Sequence, residues 1–248
     1  MKRKQSLALF LLVGCLSTSL FSSAENINPA PDPADAKAVV TDYINAIGGL
    51  DAIKKISSLN NTGTFSAQGM QFPVTQKYMA PNKILQAVTM NGTTVAKTVF
   101  DGEKGYQEQM GNHMDIGTNE MSDMKMRTSA IPQVTYLTNT AYKLSLLGTE
   151  KVEDKEAYKI LVTMPSGDMD TEYYDKSTKF LIKQVLAKTV SGQTVAVTYN
   201  YSDYRKAGDI LTSFKQTLNI SSGAINQSID ITLSDVKVNE DVTATDFE

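Results

Sequence analysis

After Ser57 the chain is divided into runs of about seven to eleven residues, rich in Val, Thr, Tyr, Phe and Ile, by closely spaced turn signals. Asn91-Gly92, Asp101-Gly102, Ser166-Gly167, Ser191-Gly192 and Ser222-Gly223 are the clearest breaks. No other feature limits the fold as strongly. Strands of this length joined by two-residue turns form antiparallel hairpins, because a parallel connection needs a long crossover. The pattern predicts strands near 61–68, 71–79, 83–90, 94–100 and 104–110, and a second set near 142–148, 157–164, 169–175, 180–190, 193–204, 209–220 and 225–238. Residues 194–202 alternate cleanly: Thr194, Ala196, Thr198, Asn200 and Ser202 share one face, and Val195, Val197, Tyr199 and Tyr201 share the other. A large antiparallel sheet must curl, and its concave face must be covered or filled.

Helical segments are few. Asp32 followed by Pro33 makes a helix start, and Val40, Ile44 and Ile47 recur at helical spacing before Gly48-Gly49 ends the run. Leu50–Ile56 reads as a short second helix. Residues 118–130 lack a turn pair and favour helix, and Pro132–Asn139 reads as a further helical turn. Segments 33–56 and 118–139 are therefore the cover available to the sheet. The fold class is α+β, mainly antiparallel β, in about 11–12 strands.

The first 24 residues have another character. Lys2, Arg3 and Lys4 form a positive start, Leu7–Val13 an apolar run, and Ser22-Ser23-Ala24 a small-residue cleavage site. This is a secretory signal peptide, which places the mature protein in the periplasm of a Gram-negative-type bacterium. Leu12-Val13-Gly14-Cys15 also reads as a lipobox, so the alternative is lipidation at Cys15 and anchorage at the outer membrane. Residues 25–35, with Pro29, Pro31 and Pro33, read as an extended linker, leaving 36–248 as one domain. Removing the three basic leader residues from 24 leaves 21 against 27 acids, a net charge of −6. That acidic surface excludes a nucleic-acid partner held by a basic field.

Catalytic and metal chemistry find little to rest on. One Cys and one His exclude a thiolate zinc site, a His-rich site and most Ser-His or Cys-His chemistry. His113 reads as an exposed loop or strand-edge residue, and Asp168-Met169-Asp170 as turn chemistry opening a strand. No catalytic residue, metal site or cofactor is expected. Methionine is more suggestive: 11 are present, and Met121 and Met124 share a helical face. Flexible, polarizable thioethers suit a surface that adapts to varied apolar ligands, although plain core packing gives the same pattern.

A family likeness runs through the mature chain. It is carried by the Tyr43–Ile56 stretch, Thr62-Gly63-Thr64, Ala80-Pro81-Asn82-Lys83 and Phe100–Tyr106. It continues through Tyr158-Lys159, Pro165-Ser166-Gly167, Tyr173-Tyr174-Asp175 and Val238–Val242 with Phe247. In order and spacing these resemble the outer-membrane lipoprotein-sorting proteins, the LolA/LolB-like family of periplasmic chaperones. The resemblance implies an incomplete, half-open β-barrel whose helices cover the concave face over a hydrophobic cavity. It implies a non-catalytic monomeric carrier of lipoprotein acyl chains or another hydrophobic ligand. Phe72, Tyr78, Leu85, Val88, Met90 and Val99, with Met121 and Met124 above them, are the expected cavity lining. The alternative reading is an envelope scaffold that meets a protein partner through an exposed sheet face.

Overall fold

The turn-bounded runs pair in chain order. A computed structural model describes residues 33–248 apart from 191–192 and 223–224. The leader 1–24, Cys15, Asp32, most of the 25–35 linker, the Ser191-Gly192 turn and Gly223 lie outside the described residues. Two helices come first, α1 (Pro33–Ala46) and α2 (Leu50–Lys54). A meander follows: β1 (Ser58–Ala67), β2 (Met70–Met79), β3 (Lys83–Met90), β4 (Thr93–Phe100), β5 (Gly105–Gln109) and β6 (Asn112–Asp115). After α3 (Thr118–Met126) and α4 (Pro132–Thr138), a second meander begins with β7 (Lys143–Val152), β8 (Lys155–Thr163), β9 (Met169–Asp175) and β10 (Leu181–Val190). It ends with β11 (Gln193–Ala207), β12 (Ile210–Ser222) and β13 (Ile225–Val238), followed by a 3₁₀ turn at Ala244–Phe247.

All 13 strands lie in one antiparallel sheet, ordered β6-β5-β4-β3-β2-β1-β13-β12-β11-β10-β9-β8-β7. The two meanders are joined where β13 returns to pair with β1, from Leu59↔Val238 to Ala67↔Ile229. β6 and β7 remain as edges, so the sheet is not closed.

Two sequence expectations need correction. The strand count is 13 among the described residues, because Asn112–Asp115 forms an additional edge strand. Its hairpin turns on Met110 and Gly111, both at positive φ (50° and 82°). Such a turn usually carries Asn or Asp at the first position, so Met-Gly gave no sequence signal. β7 runs on to Val152 past Gly148, where the register shifts as a bulge and the strand continues.

Register assigns every strand residue to a face. One face, here called inner, carries Phe65, Phe72, Val74, Val88, Ile229 and Ile231, which pack into one buried cluster. Further along the same face, α1, α2 and α4 pack on the second meander. Val40 and Ile44 of α1 and Ile47 just past its end, with Ile53 of α2 and Val134 of α4, meet Leu144, Ile160 and Val162 in the largest cluster. Val40, Ile44 and Ile47 are the residues that the helical spacing selects.

The outer face holds a smaller core, where Leu85 and Val99 are closed over by Phe247 of the 3₁₀ turn. That turn is held by a reciprocal cap between Thr243 and Asp246. Asp246 also receives Lys77 Nζ at 2.5 Å. Hydrogen bonds and the Lys77 charge hold its carboxyl below the usual carboxylate range against the opposing effect of partial burial. Asp246→Ala removes both contacts and is expected to cost about 1 kcal/mol, read from urea unfolding midpoints.

Candidate functional site

Beyond the packed inner-face cluster, the inner face opens into a cavity of about 500 Å³. Ile84 and Gln86 of β3 and Thr98 of β4 line one side. Leu186 of β10, Tyr199 and Tyr201 of β11, and Gln216 of β12 line the other. β3 and β12 stand four places apart in the strand order. That is roughly 19 Å along a flat sheet at about 4.8 Å per strand. Sharing one cavity therefore requires the sheet to curl around it. Helices form the remaining wall, through Tyr43 of α1, Met124 of α3, and Gln133 and Tyr136 of α4. The volume falls in the roughly 300–1,000 Å³ range of small-molecule sites.

The lining is amphipathic. Ile84, Met124, Ile131, Leu181, Leu186 and Leu211 give it apolar surface. Five tyrosines, 43, 136, 199, 201 and 204, bring rings and phenols. Four carboxylates, Glu120, Asp123, Asp168 and Asp170, share the wall with one guanidinium, Arg127.

A buried polar cluster supports the tyrosine side. Glu172 lies on β9 between Asp170 and Tyr174 and is fully buried. Its Oε1 accepts a hydrogen bond from Gln133 Nε2 at 2.8 Å, which ties α4 to the sheet. Its Oε2 accepts the Tyr174 hydroxyl. Burial raises the Glu172 carboxyl from 4.5 to about 7; the Asp170 charge adds to that rise, and the two hydrogen bonds oppose it. Burial likewise raises the phenols of Tyr43, Tyr136, Tyr174, Tyr201 and Tyr204, and the negative field of Glu172 contributes at each. Tyr201 donates its hydroxyl to Gln184 Oε1 at 2.9 Å, and Tyr204 donates to the Leu181 carbonyl at 2.7 Å.

The acidic side is less satisfied. Asp123 Oδ2 accepts the Ser166 hydroxyl at 2.8 Å. Asp123 Oδ1 and Glu120 Oε2 are buried with no hydrogen-bond partner. Burial raises the Asp123 carboxyl, with a further rise from the Asp168 charge. Among the described residues, no group of three or more His, Cys, Asp and Glu could hold a metal ion. No helix among them is long and apolar enough to cross a membrane.

The eight residues expected to line the site do not come together. Met124 lies on the cavity wall. Met121 packs beside it, against Phe100 and Ile116. Phe72 and Val88 share the inner face but are sealed in the solid cluster. Tyr78, also on the inner face, donates its hydroxyl to the Pro81 carbonyl at 2.7 Å. Leu85 and Val99 are one register step away and face outward, under Phe247. Met90 is exposed at the end of β3. Alternation predicts two faces but not which one turns inward, and a one-residue step exchanges them.

The polar lining was harder to foresee. Asp168 and Asp170 carry a turn signal in the sequence, and the structure places both on the cavity wall. Asp170, Glu172 and Tyr174, two residues apart in a strand buried against helices, are the pattern that could have marked this wall. His113 lies on edge strand β6, half exposed, with its ring stacked 4.9 Å from Tyr106.

No family model matches the sequence, and no curated protein matches it. Solved structures do share its fold. A Vibrio parahaemolyticus domain provisionally assigned as an outer membrane lipoprotein-sorting protein superposes with a TM-score of 0.59 at 11% identity, covering 88% of this chain and 97% of that one. A DUF1329 family protein from Desulfovibrio piger gives 0.56 at 12% identity, with 88% and 98% covered. A LolA superfamily protein from Nitrosomonas europaea gives 0.54 at 12%, with 86% and 97% covered. The chain has the LolA/LolB-like fold.

Proposed function

We propose that this protein is a non-catalytic carrier that holds one single-chain hydrophobic or amphipathic ligand, such as an acyl chain, in the cavity between its helices and the inner sheet face. The setting is the bacterial cell envelope, to which the leader addresses it. The observation that carries this reading is the cavity itself, about 500 Å³ in a fold otherwise closed by packed clusters. An alkyl chain gains about 0.8 kcal/mol per buried CH₂. The apolar part of the wall can supply that burial, while the phenols and carboxylates receive a polar head. Helix α3 is the wall with the least backing among the described residues. Met124 is its buried residue, whereas α4 buries Gln133, Val134, Thr135 and Tyr136, so α3 is the element best placed to yield to a ligand. The fold is shared with a structure named as a lipoprotein-sorting domain, which supports a cargo of acyl chains without specifying it.

Native mass spectrometry of the purified mature protein tests the proposal. One bound amphiphile per chain is expected, either carried through purification or taken up from added dodecanoyl glycerol. Gln86 stands on the wall without a packing role in any core cluster. Gln86→Trp, which fills the cavity, is expected to lower uptake by about tenfold or more while leaving the melting temperature near wild type. A protein that takes up no amphiphile, or a Trp variant that binds as well as wild type, overturns the assignment.

A further inference from the structure

We infer that the cavity's ligand carries a cationic nitrogen, an ammonium-type head on a single apolar chain, seated between the acidic wall and the tyrosine rings; this rests on the carrier reading above. The cavity wall sets four carboxylates against one guanidinium among the described residues. Arg127 is exposed, so its charge is shared with solvent. No salt bridge within 4.0 Å joins Glu120, Asp123 or Asp168 to a described residue, and the Arg127 charge acts on Asp123 only from farther away. Two of their oxygens, Glu120 Oε2 and Asp123 Oδ1, are buried without any hydrogen bond. Buried carboxylate oxygens left unpaired are costly, and a cation is what compensates them.

An independent feature points the same way. Tyr136 is 94% buried by its 6% relative exposure and stands on the cavity wall, yet its phenol oxygen has no hydrogen-bond partner among the described residues. A phenol oxygen accepts from an N–H⁺, and the rings of Tyr43, Tyr199 and Tyr201 on the same wall offer π-faces. Cation–π attraction strengthens when the cation is desolvated. A carboxylate or phosphate head entering the same space meets like charges on the wall and is rejected by them.

Three probes with one chain length separate the head-group effect from chain burial: dodecylammonium, dodecanoyl glycerol and dodecanoate, titrated calorimetrically below their micelle concentrations at low salt. The cationic probe is expected to bind about tenfold or more tightly than the neutral one, and dodecanoate most weakly. The cationic advantage should shrink as salt rises. In Asp123→Asn/Asp168→Asn the ratio of cationic to neutral affinity should approach one. Asp168 is exposed, so Asp168→Asn alone is the variant safe for folding, and it should lower the same ratio by about threefold. Equal binding of all three heads, or preference for dodecanoate, overturns the cationic inference and leaves the carrier reading intact. Failure of all three to bind overturns both.

Discussion

Glu172→Gln should stabilise the protein at pH 8, by about 3 kcal/mol, and should flatten its stability profile between pH 4.5 and pH 8. Glu172 is fully buried, and its carboxyl titrates at about 7 in the folded chain against 4.5 for the free side chain. The folded state therefore holds a proton that the unfolded chain has already released over that interval. With more protons bound in the native state, stability falls as pH rises. The Glu172 contribution is fully present below 4.5 and lost as pH passes through about 7. A displacement of that size corresponds to roughly 3 kcal/mol.

Glutamine keeps the shape. Its carbonyl can accept the Tyr174 hydroxyl, and its amide can donate to Gln133 Oε1 once that side-chain amide turns over, so both partners of the carboxyl stay satisfied. Depressed surface carboxylates such as Asp246 and Asp101 act with the opposite sign, so the wild-type profile is a sum. The difference between wild type and variant isolates residue 172. Urea unfolding at pH 5, 6, 7 and 8 measures it. A variant that is less stable than wild type at pH 8 would show that the ionised carboxylate is a stabilising anchor for α4 instead.

Gly63→Ala is expected to cost about 3 kcal/mol or more, enough to leave much of the protein unfolded at 37 °C. Gly63 sits at a register shift in β1, opposite Leu233 of β13. A methyl group there would lie 2.2 Å from the Thr232 carbonyl oxygen and 2.8 Å from Leu233 Cα. Both are backbone atoms of the neighbouring strand and cannot rotate away. β1 against β13 is also the one ladder joining the two meanders, so a local shift separates the halves of the sheet. Replacement of the adjacent Thr64 by Ala removes side-chain atoms without adding any, and serves as the control. Circular dichroism melts of the two variants decide the point. A Gly63→Ala protein that melts with the control would mean that the strands have more room at the seam than the structure gives them.

Much of the sheet was legible because its turns are written in residues with a conformational reason to be there. Asn91 and Gly92 both adopt positive φ between β3 and β4, as an Asn-Gly pair favours. Met110-Gly111 adopts the same geometry without the usual residue at its first position, and β6 was missed for that reason. Helix α1 was readable from Val40, Ile44 and Ile47, all buried in the main core. The pairing of β13 with β1 joins residues about 170 apart in sequence, and no local signal encodes it.

The cavity was less legible, for physical reasons. Leu85 and Ile84 are equally apolar, but only the pairing register shows that Ile84 faces the cavity and Leu85 faces Phe247. Phe72 and Val88 face inward, yet whether an inner-face residue lines a space or fills it depends on what crosses from the far side of the curl. The polar wall was hidden by ordinary turn and strand chemistry: Asp168 closes a turn, and Glu172 would pass as a surface residue until its burial against α4 is known.

The account depends on the cavity holding a chain. A crystal structure of the protein incubated with dodecylammonium tests this most directly. The predicted result is one alkyl chain running between Met124, Leu186 and Tyr201, with the head near Asp123 and Asp168. A chain bound instead along the exposed Met90, Met110 and Met114, with the cavity empty, would contradict it.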